Sequence, residues 1–224
     1  MAFELQTVVP WGRNLQEYIR MFNLSEIDKQ KRIISFGDGP ASFNAEMTKR
    51  GYSVTSIDPL YRFSNDEIAE RIRETAETIV EQTRNNLDNF IWKEFASVDE
   101  LKETRLQAMN NFLDDIEKGK IEARYINHEM PNKLSFDEKS FDLGLSSHFL
   151  ILYSQLGLQF HVSAITEMLR LCNEIRIFPL QNLNAQKSEV LDEIIDHFEK
   201  TYLVEIIEVP YEFQKGGNKM LIIR

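Results

Sequence analysis

A strand, a glycine turn and a helix are predicted in succession by residues 32–51, RIISFGDGPASFNAEMTKRG. The apolar run RIISF is typical of a buried strand, and a helical pattern begins near Ala41. Between them, Gly37 has access to backbone angles that are closed to other residues, and Gly39 lets a ligand approach the main chain. The spacing matches a dinucleotide-binding fingerprint, except that Ser42 stands at the third glycine. A two-glycine match is weak evidence by itself, because an ordinary strand-to-helix turn has the same residues.

Asp58 ends the next apolar run, SVTSID, and lies 21 positions after Gly37. Nucleotide-binding α/β folds place a carboxylate at this point, where it accepts hydrogen bonds from ribose hydroxyls. Taken alone, Asp58 has the alternative interpretation of a turn or cap residue. Together with the glycine turn it predicts a site for an adenosine-containing ligand at the ends of the strands. An apolar wall beside the adenine is expected from the three residues that follow, Pro59, Leu60 and Tyr61.

Strand and helix patterns alternate along the chain and predict an α/β layered fold. The predicted strands are RIISF (32–36), SVTSID (53–58), EARYIN (122–127), FDLGLSS (141–147), EIRIFPL (174–180), YLVEIIEVPYEF (202–213) and KMLIIR (219–224). Helical patterns lie between them, at residues 41–50, 65–111, 160–171 and 188–200. The last two strands are joined only by QKGGN, which is too short for a parallel crossover and predicts an antiparallel hairpin.

The segment between the second and third predicted strands is too long for one crossover, which needs about 12–15 helical residues and short loops. Apolar residues recur there at helical spacing, and Ser64 begins a helix N-cap pattern. We therefore predict a helical insertion over residues 63–121 that forms part of an acceptor pocket. The whole chain, 1–224, is interpreted as one domain, with residues 1–30 as an N-terminal lid or cap.

Composition and charge narrow the functional classes. The chain has 26 basic and 36 acidic residues, and its net charge of −10 disfavours nucleic acid and anionic lipid as partners. It has no apolar run long enough for a membrane helix and no signal-peptide pattern at MAFELQTVVPWGR, so we expect a cytoplasmic protein. Cys172 is the only cysteine, which leaves no Cys/His zinc pattern and predicts no metal site.

These features together resemble the class I S-adenosylmethionine-dependent methyltransferases, whose seven-stranded sheet ends in the same kind of hairpin. The resemblance covers nearly the whole chain from about Lys31 and includes LSFDEKSFDLGLSSHFLILYS (134–154) and HVSAITEMLRLCNEIRIFPL (161–180). A bacterial group of methyltransferase-like proteins with no established substrate is similar in VVPWGR, GDGPASF, SIDPLY, SSHFL, EIRIFPL and YEFQKGGNKML. The resemblance implies a Rossmann-like three-layer sandwich, S-adenosylmethionine as co-substrate, and a small-molecule or peptide acceptor.

The resemblance also implies which residues contact the cofactor, namely Gly37, Asp38, Gly39, Asp58, Pro59, Glu129, Met130 and Ser146. The family often has an acid two residues before its first glycine, but here that residue is Ser35, which leaves Asp38 or backbone carbonyls to hold the methionine ammonium. The third glycine of the family's loop is replaced by Ala41. Either Glu129 or Met130 lies nearest the family position that contacts the adenine amino group.

His148 and Tyr153 follow the fourth predicted strand and are the candidate catalytic residues. A neutral imidazole there can take a proton from an oxygen or nitrogen acceptor, although His148 has the alternative role of holding its loop. Methyl transfer needs mainly in-line positioning, so it does not require a dedicated base. His161 is a secondary candidate. Trp11 and Arg13 are interpreted either as lid residues over the pocket or as packing residues.

Two other functions share part of this pattern. A binding or regulatory protein that keeps the methyltransferase fold without turnover is consistent with Ser35 and with the uncertain base. An NAD-dependent oxidoreductase is consistent with the glycine turn and Asp58 but not with the terminal hairpin. The methyl acceptor and the oligomeric state are not predicted.

Overall fold

A single sheet of seven strands forms the centre of residues 11–224, the part of the chain that the computed structural model describes. The strands are β1 (Ile33–Phe36), β2 (Val54–Ile57), β3 (Tyr125–Ile126), β4 (Phe141–Ser147), β5 (Cys172–Phe178), β6 (Val204–Glu208) and β7 (Lys219–Ile223). They lie in the order β3-β2-β1-β4-β5-β7-β6, and only β7 runs antiparallel to its described neighbours. The predicted mostly parallel sheet with a terminal antiparallel hairpin is confirmed.

Helices cover both faces of the sheet and give the predicted three layers. They are α1 (Leu15–Met21), α2 (Glu26–Lys29), α3 (Phe43–Lys49), α4 (Asn65–Arg84), α5 (Val98–Leu113), α6 (Ile116–Ile121), α7 (Leu158–Leu171) and α8 (Leu191–Phe198). One face packs against α1 and α3, and the opposite face packs against α7 and α8. Among residues 11–224, no helix combines the length and the apolar character needed to cross a membrane.

Most strand bounds differ from the prediction by one or two residues, and two predicted strands are much shorter in the structure. The strand expected over residues 122–127 is reduced to β3, because α6 extends to Ile121 and Ala123 has a left-handed φ of 55° that a strand excludes. The strand expected over residues 202–213 is reduced to β6, and Pro210, which has no N–H for sheet pairing, follows it. The hairpin connection therefore spans residues 209–218 and is longer than predicted.

The helical pattern predicted over residues 65–111 is divided into α4 and α5. Helix α4 begins with a capping box between Ser64 and Glu67, and α5 begins after the N-cap Ser97. Between the helices, Phe90 stacks on Phe213 of the hairpin connection with ring centroids 4.7 Å apart. The Ile91 N–H also donates to the Phe213 carbonyl over 2.7 Å. The break between the helices thus brings the insertion against the last two strands.

The insertion is attached to the β2–β3 edge of the sheet by an apolar cluster of its own. Phe112 of α5 is fully buried at its centre. Its ring centroid lies 5.9 Å from that of Tyr61 and 5.4 Å from that of Tyr125. Aromatic pairs at such distances add to the stabilisation that apolar burial provides. The insertion is therefore packed on the sheet rather than extended into solvent.

Helix α1 is part of the layer that covers the sheet. Tyr18 stacks on Phe43 of α3, with ring centroids 4.3 Å apart and planes 11° from parallel. The preceding residue, Glu17, is buried and forms an ion pair with Arg105 of α5, which is 1 % exposed. The Tyr211 hydroxyl of the hairpin connection donates to the same carboxylate over 3.0 Å. One buried carboxylate thus joins the N-terminal helix, the insertion and the hairpin connection.

We predict that Phe112→Ala lowers the free energy of unfolding by about 3–5 kcal/mol, because it leaves a cavity at the centre of the insertion's apolar cluster. Equilibrium unfolding in urea measures the change. The control Glu103→Ala, on the exposed face of the same helix, should change stability by no more than about 0.5 kcal/mol. Equal effects of the two substitutions would show that the insertion does not contribute to the folded core.

Candidate functional site

A cavity of about 670 Å³ opens at the carboxyl ends of β1, β2 and β4. Open α/β sheets bind their ligands at this edge. Nine of the predicted site residues line the cavity, namely Gly37, Asp38, Gly39, Asp58, Pro59, Glu129, Met130, His148 and Tyr153. Residues separated by more than a hundred positions in the chain are therefore brought to one place.

The glycine turn forms the floor of the cavity. Gly37 and Gly39 both have left-handed backbone conformations, with φ of 65° and 53°. A Cβ added at Gly37 would lie 2.5 Å from the Phe149 ring, so this position excludes any side chain. At Gly39 no atom lies within 4 Å of an added Cβ, so the turn faces open space on that side. A ligand can therefore approach the main chain at Gly39.

Asp58 lies across the glycine turn from β1. Its carboxylate accepts hydrogen bonds from the Gly39 N–H over 2.9 Å and from the Leu60 N–H over 2.7 Å. Burial raises the pKa of Asp58 to about 6, although these two N–H donors favour the charged form. Asp58 therefore has the cap role that the sequence left open, since it caps the 3₁₀ helix Pro59–Arg62, and it also lines the cavity, where the ribose role stays a prediction.

Asp38 is held by three hydroxyl groups from separate elements. The side chains of Ser35, Ser56 and Tyr18 all donate hydrogen bonds to its carboxylate. Burial raises the pKa of Asp38, and the three donors oppose that shift. Ser35 stands at the position where the methyltransferase family that the sequence resembles often has an acid. Here its hydroxyl donates a hydrogen bond to the carboxylate of Asp38 instead. The sequence analysis did not predict the Ser35 contact, and nothing local in the sequence indicates Ser56 of β2 or Tyr18 of α1.

Ser146 does not line the cavity, although it was expected to contact the cofactor. It is fully buried, and its hydroxyl has no hydrogen-bond partner among the described residues. Successive side chains of a strand point to opposite faces, so the neighbouring Ser147 lines the cavity instead. Glu129 and Met130 both line the cavity, so the structure keeps both as candidates for an adenine contact.

His148 follows β4 with a left-handed φ of 52°. The Ser147 hydroxyl lies 2.9 Å from its Nδ1, which leaves Nε2 as the nitrogen available to an acceptor. Burial, followed by the positive charges of Arg13 and Arg105, holds the pKa of His148 well below its usual range. The imidazole is therefore neutral near pH 7, which is the form that a proton acceptor requires.

A second cavity, of about 150 Å³, adjoins the first at His148 and Tyr153. Its walls come from α4, α5, the end of β5 and the hairpin connection. The insertion supplies five of the residues that line it, Ile79, Thr83, Phe90, Leu101 and Arg105. We refer to it as the insertion cavity.

Trp11 and Arg13 line both cavities. The segment that carries them lies directly on the glycine turn, because Gly12 has no side chain to separate it from the Pro40 carbonyl. The Ser42 N–H also donates to the Arg13 carbonyl over 3.0 Å. Residues 1–10 of the predicted lid lie outside the described residues.

Other polar residues considered from the sequence lie away from both cavities. His161 is buried, with its ring nitrogens 2.7 Å from the Gly157 carbonyl oxygen and 3.0 Å from the Leu150 carbonyl oxygen. Cys172 is buried, and burial raises the pKa of its thiol. Within residues 11–224, no group of three or more His, Cys, Asp or Glu side chains is arranged to hold a metal ion.

The solved structures to which this chain is similar include methyltransferases. The methyltransferase domain of bacterial CtHen1 aligns with a TM-score of 0.50 and 12 % identity, over 93 % of this chain and 97 % of that chain. A TehB-like SAM-dependent methyltransferase from Corynebacterium glutamicum aligns with a TM-score of 0.47 and 14 % identity, over 92 % of this chain and 86 % of that one. At such low identity the likeness to the CtHen1 domain establishes the fold.

The sequence comparison is more specific. No protein-family model matches the chain. The uncharacterized protein MJ0045 of Methanocaldococcus jannaschii is 41 % identical over 222 residues, which span 98 % of this chain and 97 % of that protein. Identity at this level over the full length of both proteins reflects common descent. The chain therefore belongs to the same family as MJ0045 of Methanocaldococcus jannaschii.

Proposed function

We propose that this protein transfers a methyl group from S-adenosylmethionine to an acceptor that enters the insertion cavity. The observation that carries the proposal is the position of His148 where two cavities meet, one of which also contains the glycine turn and Asp58. A nucleotide-type site and a neutral proton acceptor thus share one edge of the sheet. The terminal hairpin favours this proposal over an NAD-dependent oxidoreductase.

The residues of the larger cavity fit the proposed co-substrate. The open space over Gly39 supports the approach of a ligand to the main chain, and we assign to Asp58, which lines the same cavity, the hydrogen bonds from the ribose hydroxyls. Asp38 offers a carboxylate to an ammonium group. Pro59 and Leu60 supply an apolar surface for adenine. When bound, S-adenosylmethionine supplies a methyl group on a sulfonium ion, which is already activated for transfer.

His148 is proposed as the residue that accepts the acceptor's proton. The acceptor's lone pair forms a bond to the methyl carbon, and the electron pair of the breaking carbon–sulfur bond stays on sulfur. The proton that the acceptor loses moves to Nε2 of His148. Ser147 fixes the orientation of the ring through Nδ1, and Phe178 contacts the ring with centroids 5.4 Å apart.

S-adenosylhomocysteine should bind the protein and raise its melting temperature, because a ligand that binds only the folded state stabilises it. Asp58→Ala should weaken this binding by about 1–3 kcal/mol, the scale of charge-assisted hydrogen bonds. Isothermal titration calorimetry measures both, with NAD as the competing ligand and Asp66→Ala, an exposed acid of α4, as the control. Binding of NAD but not of S-adenosylhomocysteine would overturn the proposed function.

The affinity for S-adenosylhomocysteine should increase as the pH rises from about 5 to about 7. Ribose hydroxyls donate to the charged form of Asp58, whose pKa in the free protein is about 6, so ligand binding favours proton loss. Titrations at several pH values measure the slope. Asp58→Asn should remove the pH dependence of the affinity. If the dependence persists in this variant, it arises from a group other than Asp58.

His148→Asn should leave the affinity for S-adenosylhomocysteine unchanged and lower the rate of methyl transfer by about 10²- to 10⁴-fold, the usual contribution of a general base. Calorimetry measures the affinity, and single-turnover assays with an acceptor found by screening measure the rate. A variant that loses thermal stability but keeps its rate would indicate that His148 only holds its loop.

A further inference from the structure

The insertion cavity contains a positive charge that the described residues do not neutralise. Arg105 pairs with Glu17, whereas no carboxylate of residues 11–224 lies within the 4.0 Å ion-pair distance of Arg13. The one described hydrogen bond of the Arg13 guanidinium is to the Trp11 carbonyl, over 3.2 Å. The nearby Glu94 is already paired with Arg20. Two guanidinium groups and one carboxylate leave a net charge of +1.

Both guanidinium groups also have unused hydrogen-bond donors. Nε of Arg13 and Nε of Arg105 are buried and have no partner among the described residues. Arg105 as a whole is only 1 % exposed, so water does not readily satisfy its donor. Burying a donor without a partner costs free energy. A ligand that supplies a hydrogen-bond acceptor to these N–H groups would remove this cost.

Arg13 lines both cavities, and most of the titratable groups that act on it lie on the insertion side of His148. Burial is the main cause that lowers the pKa of Arg13; after it come Arg105, Tyr211 and Glu17 of the buried cluster beside the insertion cavity, and then Tyr18, which lines the larger cavity. Asp38 and Asp58 of the larger cavity are not among these groups. The same two arginines act on His148. A ligand anion between them would therefore lie next to the proposed proton acceptor.

The rest of the insertion cavity is mostly apolar, although Thr83 and Gln214 also line it. Its walls include six aliphatic or aromatic side chains, Ile79, Phe90, Leu101, Leu152, Phe178 and Phe213. The volume of about 150 Å³ suits a body the size of one ring or a short aliphatic chain. The surplus charge of +1 matches a monoanion better than a phosphate dianion, and a guanidinium pairs with a carboxylate through two parallel hydrogen bonds.

We propose that the methyl acceptor is a small carboxylic acid with an apolar body, and that Arg13 and Arg105 bind its carboxylate in the insertion cavity. This inference rests on the proposed function. Arg13 also lines the larger cavity, so the carboxylate of the co-substrate's methionine portion is a second source of the same chemistry. The electrostatic neighbours of Arg13 favour the acceptor.

Binding of the carboxylate would also raise the pKa of His148. Burial is the main cause that lowers the pKa of His148, and the charges of Arg13 and Arg105 add to it; an anion beside the two arginines offsets that second contribution and makes the imidazole a stronger base. Arg13 is thus a binding residue that also acts on the base.

The test compares three ligands that share one ring and differ in charge, namely benzoate, benzamide and benzylamine. Each is titrated into protein saturated with S-adenosylhomocysteine. Hexanoate and hexanamide repeat the comparison of acid and amide with an aliphatic chain in place of the ring. Ligand-detected NMR measures affinity, and the imidazole resonances of His148 report its pKa. We expect both carboxylates to bind more tightly than their amides, benzylamine not to bind, and benzoate to raise the pKa of His148.

Arg13→Gln is the informative variant, because Arg13 forms no ion pair with the described residues, so its replacement breaks none and the protein should stay folded. It should weaken benzoate binding by about ten- to a hundred-fold and leave the affinity for S-adenosylhomocysteine unchanged. Arg13→Lys should restore part of the benzoate affinity. Arg73→Gln, which removes the same charge from an exposed position of α4, should change neither affinity.

Three results would overturn the inference, and they are distinguishable. If carboxylates bind no better than their amides, the insertion cavity does not select anions, although the proposed function stands. If Arg13→Gln weakens S-adenosylhomocysteine and leaves benzoate unchanged, Arg13 binds the co-substrate instead. If wild-type protein does not bind S-adenosylhomocysteine at all, the proposed function fails together with the inference built on it.

Discussion

The buried ion pair between Glu17 and Arg105 is the contact on which the arrangement of both cavities depends. It joins α1, α5 and, through the Tyr211 hydroxyl, the hairpin connection. Removing either partner would leave a charge buried without compensation, a change that commonly costs several kcal/mol. An apolar contact of similar area would hold these elements together without fixing their direction. The pair also fixes a guanidinium at the wall of the insertion cavity, so one interaction contributes both to the packing of the insertion and to the electrostatics beside His148.

Features carried by local patterns were predictable from the sequence. Alternating strand and helix patterns predicted the sheet and its terminal hairpin. Strands buried on both faces have nearly continuous apolar runs, and a short connection between two strands is typical of a hairpin. The glycine turn and Asp58 were likewise readable, since backbone geometry restricts Gly37 and the next strand must end near it. The boundaries of β3 and β6 were less predictable. A left-handed Ala123 and the path of the chain after Glu208 follow from tertiary packing, which residue preferences describe poorly.

The polar groups that complete the site were largely invisible in the sequence. Ser56 and Tyr18 reach Asp38 from a strand and a helix that are distant in the chain, and no spacing rule connects them. Arg105 lies in a helix rich in charged residues, where its burial cannot be distinguished from the exposure of its neighbours by pattern alone. The sequence also does not indicate which of the adjacent residues Ser146 and Ser147 lines the cavity, because that depends on the register of the strand.

Adjacent residues of α1 serve different compartments, since Tyr18 binds Asp38 beside the glycine turn and Glu17 binds Arg105 beside the insertion cavity. Helix α1 is less than two turns long and connects the two cavities through these neighbouring side chains. If a ligand at the glycine turn displaced Tyr18 and the neighbouring Glu17 moved with it, the ion pair with Arg105 would change as well. Thermodynamic linkage would make such an effect reciprocal, so a ligand beside Arg105 would change the affinity at the glycine turn by the same factor.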